Sequence, residues 1–314
     1  MIARRTFLAA GLAAPFVMPE TLRAEAGERL TIAVLPGLGY APLTLAKHAG
    51  WIEAAVPGLK VNWLEIASSA AIREGMLSGD IDVGAGSIAP FLIGRDRGFK
   101  VGLISSLTIM DLLLVINDPA IKALRDFDNS KKIAVTAPDT NQAFVLRLAA
   151  QQVLGDAKAL DGCFLAMPHP DALQALVTNQ IAGYMGSPPF QNEALKRGCR
   201  TLLNSRDIVG PLTFSVCFAL EKYGKNRPAN VQAIRDAVGK GIALLKSQPE
   251  EAAKMLAAES GGRQTSEGFK TLLADPNTTF TDELVGVPKL AEFMKTSGFL
   301  RGDAGQPASM MLKG

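Results

Sequence analysis

From residue 30 onward, short apolar runs alternate with longer stretches whose apolar residues recur at helical spacing. LTIAVLPG, opening at Leu30, is rich in β-branched residues and ends at Pro36-Gly37, which predicts a buried strand followed by a loop. GLGYAPLTLAKHAGWIEAAV then carries the helical period and stops near Pro57-Gly58. LKVNWLEI is a second strand, Ser68 and Ser69 are cap candidates for the helix AAIREGMLSG, IDVGAGS is a third strand and KVGLISSL a fourth. Strands alternating with helices in this way predict a doubly wound, mostly parallel α/β sheet.

The same alternation begins again at Lys131. KKIAVTAP, CFLAMP and IAGYMGS read as strands, with TNQAFVLRLAAQQVLG and PDALQALVTN as helices between them. The two halves echo one another, since IREGMLSGDIDVGAGS (72–87) and ALQALVTNQIAGYMGS (172–187) align without a gap. Ile81 falls on Ile181 and Gly86-Ser87 on Gly186-Ser187. The echo places Gly-Ser at the carboxyl end of an equivalent strand in both halves, where open α/β sheets bind ligands. After the strand-like LTFSVCFAL, three helices are expected in NVQAIRDAVGKGIALLKSQ, EEAAKMLAAES and KLAEFMKTSG, with no further strand.

The N-terminus follows another pattern. Arg4-Arg5, the apolar run Phe7 to Met18 and Ala24-Glu25-Ala26 form the positive end, apolar middle and small-x-small site of a secretory signal. The Arg pair followed by x-Phe-Leu is similar to a twin-arginine export signal. The run spans 12 residues, short of the ~20 that cross a bilayer. Residues 1–26 are therefore expected to be a cleaved leader, and the remainder an exported protein.

Composition narrows the function classes. The 314 residues are 48% hydrophobic and 20% charged, with a formal net charge of +3 and no long run of either sign, which speaks against a nucleic-acid partner. Two His and three Cys, widely scattered, make no metal cluster. Cys163, Cys199 and Cys217 lie in apolar stretches and read as buried, unpaired thiols.

An export signal, two α/β halves, strands ending in Gly-Ser and a helical tail together resemble the solute-binding proteins of ABC importers. More narrowly, AVLPGLGYAPLTLAKHAGWIEAAV, SSAAIREGMLSGDIDVGAGS, SKKIAVTAPDTNQAFVLRLA, ALVTNQIAGYMGSPP and FALEKYGKNRPANVQAIRDAVGKGIALLKSQPEEA resemble the nitrate, sulfonate, taurine and pyrimidine-precursor, or NMT1-like, family. The resemblance implies a type 2 periplasmic binding fold, with lobe one formed by 27–108 plus 214–314 and lobe two by 109–213. It also implies a monomer that closes on a small-molecule ligand, uses no cofactor or metal, and delivers to a permease and its ATPase in the inner membrane.

The same resemblance puts ligand contacts on Leu38, Gly39 and Tyr40, on Ser68 and Ser69, on Ser87, on the crossover from Thr108 to Asp111, on Thr140 and Asn141, and on Ser187 and Pro188. Free N–H groups and hydroxyls at helix starts bind oxygens without a formal charge. Each hydroxyl equally suits an ordinary N-cap. Tyr40 either stacks on a planar ligand or covers the first helix. Asp111, in the otherwise apolar MDLLLVIN, is either a hinge residue or an acceptor for a ligand N–H. His169 reads as a loop residue ahead of a helix, and His48 as structural.

No Arg or Lys stands at a predicted strand end: Arg73 and Arg147 fall inside helices, and Arg95 and Arg97 in a solvent-like stretch. The expected ligand is therefore a planar, partly polar organic solute such as a pyrimidine or aromatic compound, with a sulfonate- or nitrate-like oxyanion as the alternative. A pyrimidine- or menaquinone-pathway enzyme on the same scaffold is the rival of another class. The export signal and the scarcity of His favour the binding protein.

Overall fold

The computed structural model describes residues 28–66, 68–302 and 306–312. The expected leader, 1–26, lies outside the described residues. The chain first builds β1 (Arg29–Val34), α1 (Ala41–Ala49), α2 (Trp51–Ala55), β2 (Lys60–Glu65), α3 (Ser69–Ser78), β3 (Val83–Ser87), α4 (Ile88–Asp96) and β4 (Val101–Met110). It then crosses into a second unit: β5 (Leu113–Ile116), β6 (Ile133–Val135), α5 (Asn141–Leu154), β7 (Phe164–Ala166), α6 (His169–Val177), β8 (Gly183–Met185), α7 (Phe190–Lys196), β9 (Arg200–Asn204) and α8 (Ser205–Val209). It returns through β10 (Thr213–Leu220) to α9 (Glu221–Asn226), α10 (Pro228–Ser247), α11 (Pro249–Glu259), α12 (Ser266–Leu273), β11 (Thr278–Phe280), α13 (Val287–Thr296) and α14 (Pro307–Met310).

Two sheets result, ordered β11-β4-β10-β3-β1-β2 and β7-β6-β8-β5-β9. β1 runs parallel to β2 and β3, and β6 parallel to β7 and β8, as the alternation with helices predicts. The connecting strands depart from that pattern. β10 is antiparallel to β3 and β4, and β5 to β8 and β9. The reason is connectivity: β4 carries the chain out of the first sheet and β10 brings it back, so they run in opposite directions without a crossover helix.

The expectation that no strand follows β10 is corrected by β11, whose Thr278–Phe280 pairs with Thr108–Met110. β4 is longer than its apolar signature LISSL suggests, and its last residues leave an edge that three residues of the tail cover. Thr108 is thus inside β4, fully buried, and the crossing itself is Asp111-Leu112.

The echo between halves has a structural counterpart. Ile81 N–H donates to Gly75 O (3.0 Å) and Ile181 N–H to Ala175 O (3.4 Å), so both helices end in the same tight turn into a strand. In the first half a Cβ at position 75 would stand 2.4 Å from Ile81 Cδ1, which accounts for glycine there. β5 shows the two-residue period of a strand buried on both faces. Leu114 and Ile116 join the main core with Ile32, Leu43 and Ile52, whereas Leu113 and Val115 join a smaller cluster with Ala172, Leu176 and Tyr184. The three cysteines are free and buried, and burial pushes the Cys217 thiol up to about 12.

α10 packs directly on α1, and a Cβ at Gly241 would lie 2.6 Å from Pro42 O. Neither backbone can yield cheaply, so Gly241→Ala is expected to cost about 1 to 3 kcal/mol. Urea unfolding measures this, and unchanged stability would mean that the two helices part freely.

Candidate functional site

The strand ends of the two sheets face each other. After β1 the chain turns through Gly37, at φ 134, into a single 3-10 turn over Leu38–Tyr40 whose three residues are all buried. Gly39 O accepts from Ser215 Oγ (2.6 Å) and from Thr108 Oγ1 (3.4 Å), and the two hydroxyls lie 2.6 Å apart. Gly39 and Thr108 are thereby fixed by Ser215 of β10. Tyr40 is buried with its hydroxyl near Ser87, and burial raises its pKa well above the usual phenol range. It remains a neutral hydroxyl within the fold, at the start of α1.

Helix starts from both units meet above this floor. Ser68 caps α3 by accepting from Ala71 N–H (3.2 Å) and is exposed. Ser69 and Ser87 line a narrow groove between α3 and α4, together with Arg73, Pro90, Phe91 and Phe218. Arg73 has no hydrogen-bond or ion-pair partner among the described residues. Ser87 occupies the N-cap position of α4 without capping it. The Ala89 N–H of that first turn donates instead to Asn141 Oδ1 (2.9 Å), at the start of α5, and Asn141 Nδ2 donates to Phe214 O (3.0 Å). Asn141 therefore joins two backbone atoms of the first unit from the second. Thr140 turns away, its hydroxyl donating to Ala137 O (2.7 Å).

The second unit contributes a wall that was underrated at the level of sequence. His169 is the first residue of α6 and half-buried, its ring stacked on Phe190 with 5.3 Å between centroids. Nε2 lies 3.2 Å from Ser187 Oγ and Nδ1 lies 2.5 Å from the Tyr184 hydroxyl. Burial lowers the His169 pKa to about 4 and raises that of Tyr184. Pro188 is buried beside Ser187. The only sequence signal was position: His169-Pro170 opens the helix that leads, through the internal echo, to Ser187.

Asp111 lies where the chain crosses. Its N–H donates to Asn277 O (2.8 Å), its carbonyl accepts from Gln191 Nε2 (2.9 Å), and Oδ2 accepts from Arg206 Nε (2.6 Å). Arg206 supplies the carboxylate with a cation on Oδ2, while Oδ1 is buried without a hydrogen-bond partner among the described residues. That cation comes from α8, 95 residues away in sequence, beyond the reach of pattern reading. The pair leaves little net charge at the crossing. A second polar contact, Asn192 Nδ2 to Asp275 Oδ2 (2.6 Å), also joins the two units.

The arrangement brings Tyr40, Ser69, Ser87 and Asn141 near one another, ties Gly39 and Thr108 together through Ser215, and leaves Ser187 in the second unit beside His169.

Two α/β lobes joined by paired crossings, with helix starts from both meeting between them, define the type 2 periplasmic binding fold. The chain belongs to the NMT1-like family, whose pattern matches residues 23–259. An Escherichia coli (strain K12) protein named for binding aliphatic sulfonates is 25% identical over 227 residues, 71% of this chain and 69% of that one. The crystal structure of the periplasmic aliphatic sulphonate binding protein SsuA of Escherichia coli superposes with a TM-score of 0.72 at 21% identity, covering 91% of this chain and 97% of the other. The alkanesulfonate-binding protein SsuA of Xanthomonas axonopodis pv. citri, solved bound to MOPS, gives 0.71 at 18%, with 92% and 99% covered. No helix among the described residues is long and apolar enough to cross a membrane.

Proposed function

We propose that this chain is the solute-binding component of an ABC importer and that it captures a small organic oxyanion, a sulfonate in the first instance, between its lobes. One observation carries the reading: the Ala89 N–H at the start of α4 donates to an oxygen from the opposing unit, Asn141 Oδ1 at 2.9 Å. A helix start that takes an amide oxygen in this position suits an anionic oxygen better, because its partial positive charge favours negative groups. The relatives named for sulfonates support the same class. The pyrimidine or aromatic expectation gives way to the oxyanion alternative. That expectation leaned on the lack of a cation at a predicted strand end, on Asp111 and on Tyr40; Arg206 now stands beside Asp111, and Tyr40 is buried.

In this reading, 27–108 plus 214–314 form one lobe and 109–213 the other, and a monomer exported behind the leader 1–26 delivers to a permease and its ATPase. Replacing Arg4 and Arg5 with Lys should then abolish periplasmic accumulation, as cell fractionation would show. The ligand class is tested by thermal shift of the purified chain against alkanesulfonates, nitrate and neutral pyrimidines. A ligand at a hundredfold its Kd adds about 2.7 kcal/mol of stability. Stabilisation by a pyrimidine with none by any oxyanion would reverse the assignment.

A further inference from the structure

A line of hydrogen-bonding groups runs from Tyr184 through His169 to Ser187, and from it we infer that Tyr184 and His169 are positioning residues that present the Ser187 hydroxyl to the cleft as a donor, selecting a ligand group that only accepts. Where it concerns the ligand, this rests on the oxyanion reading above.

Tyr184 is fully buried, with the Ser187 backbone near its phenol oxygen. Its proton has one acceptor among the described residues, His169 Nδ1 at 2.5 Å. A neutral imidazole carries a single N–H, so a proton received at Nδ1 places that N–H on Nε2. Nε2 is 3.2 Å from Ser187 Oγ and donates to it. The Ser187 proton is then left over, and no acceptor for it exists among the described residues. The opposite tautomer would set Nδ1–H against the phenol O–H and strand a buried donor. Burial keeps the imidazole neutral and the phenol protonated over the ordinary pH range.

The ring is also held in place. It stacks on Phe190 at an interplanar angle of 17°, and its backbone lies between Pro168 and Pro170. A sulfonate oxygen would take the Ser187 proton, whereas a ligand N–H in the same place would leave that proton unsatisfied. The internal echo stops short of this device, because Ser69 stands at the position equivalent to His169.

With only two histidines in the chain, nitrogen NMR of the 15N-histidine-labelled protein reads the tautomer directly. The wild type should show His169 protonated at Nε2, and Tyr184→Phe a mixture of tautomers. Binding is then measured by calorimetry with ethanesulfonate and its neutral N–H analogue, ethanesulfonamide. His169→Phe keeps the stacking on Phe190 and should weaken ethanesulfonate about tenfold, the loss of one oriented bond to a charged group. Tyr184→Phe should narrow the preference for sulfonate over sulfonamide. Adding Ser187→Ala to His169→Phe should produce no further loss. A wild-type His169 protonated at Nδ1 would overturn the inference. So would a folded His169→Phe variant with unchanged sulfonate affinity and preference. If the wild type binds no sulfonate at all, the oxyanion reading falls, and the tautomer alone then decides whether Ser187 is held as a donor.

Discussion

Replacing Arg147 with Met should lower the unfolding free energy by about 3 kcal/mol, the largest loss expected from a single polar position in this chain. Arg147 is 5% exposed on α5. Its guanidinium forms a two-point pair with Asp161 (2.8 and 3.2 Å) and donates to Pro138 O at 2.6 Å. It also lies over three rings, 4.5 Å from the Phe299 centroid, 5.1 Å from Phe144 and 5.3 Å from Phe164. Phe299 follows α13 near the far end of the chain, so the cluster joins distant segments, and Phe144 meets Phe299 edge to face at 5.2 Å. Met fills much of the volume but leaves Asp161 without its cation and Pro138 O without its donor. Because the Asp161 side chain keeps 33% exposure, the cost falls at the lower end of the range for a broken buried pair. Urea unfolding with unchanged slope would give the number. Asp161→Asn in the Met background should restore part of it, because the stranded charge is then gone. A loss below about 0.5 kcal/mol would mean that the pair contributes no more than an exposed one.

Arg147 also marks the limit of pattern reading. At the level of sequence it was one polar position in an amphipathic helix, and nothing local announces that Phe299 arrives from the far end of the chain. What could be read were features with a local cause. β3 and β8 follow from apolar runs bounded by glycine, and their equivalence follows from the shared turn at Ile81 and Ile181. Ser68 was legible as a cap because capping depends on the next three residues. Ser87, Asn141 and Ser187 could be placed at helix starts or strand ends, but their partners could not. Asn141 bonds across 52 and 73 residues, and Arg206 reaches Asp111 across 95. β11 escaped because three residues are too few to show a period, and only the overhang of β4 gives them a partner. The ligand class expected from sequence leaned on Asp111 and on the lack of an Arg or Lys at a strand end, and the cation beside Asp111 lay beyond local pattern.

His169 gives the second large effect, and its sign is fixed by burial. In the folded chain its pKa stands at about 4, against an ordinary 6.5, because the imidazolium would lose its hydration. Between these two values the unfolded chain binds a proton that the folded chain does not, so stability rises with pH across that window. The contribution is fully present above 6.5 and is lost as pH falls towards 4. A gap of this size corresponds to at most about 3 kcal/mol, and partial exposure of the ring brings it nearer to about 2. Carboxylates with lowered pKa, such as Glu65 beside Arg263 and Asp126 bonded to the Lys122 and Ala123 N–H groups, add their own losses at lower pH. The difference between wild type and His169→Phe isolates the imidazole. Urea unfolding at pH 7 and pH 4.5 should show wild type losing more stability than the variant by about 2 kcal/mol, with most of the excess appearing below pH 6. Parallel losses in the two proteins would mean that His169 is protonated as readily in the folded chain as in the unfolded one, and that the wall around Ser187 is wet.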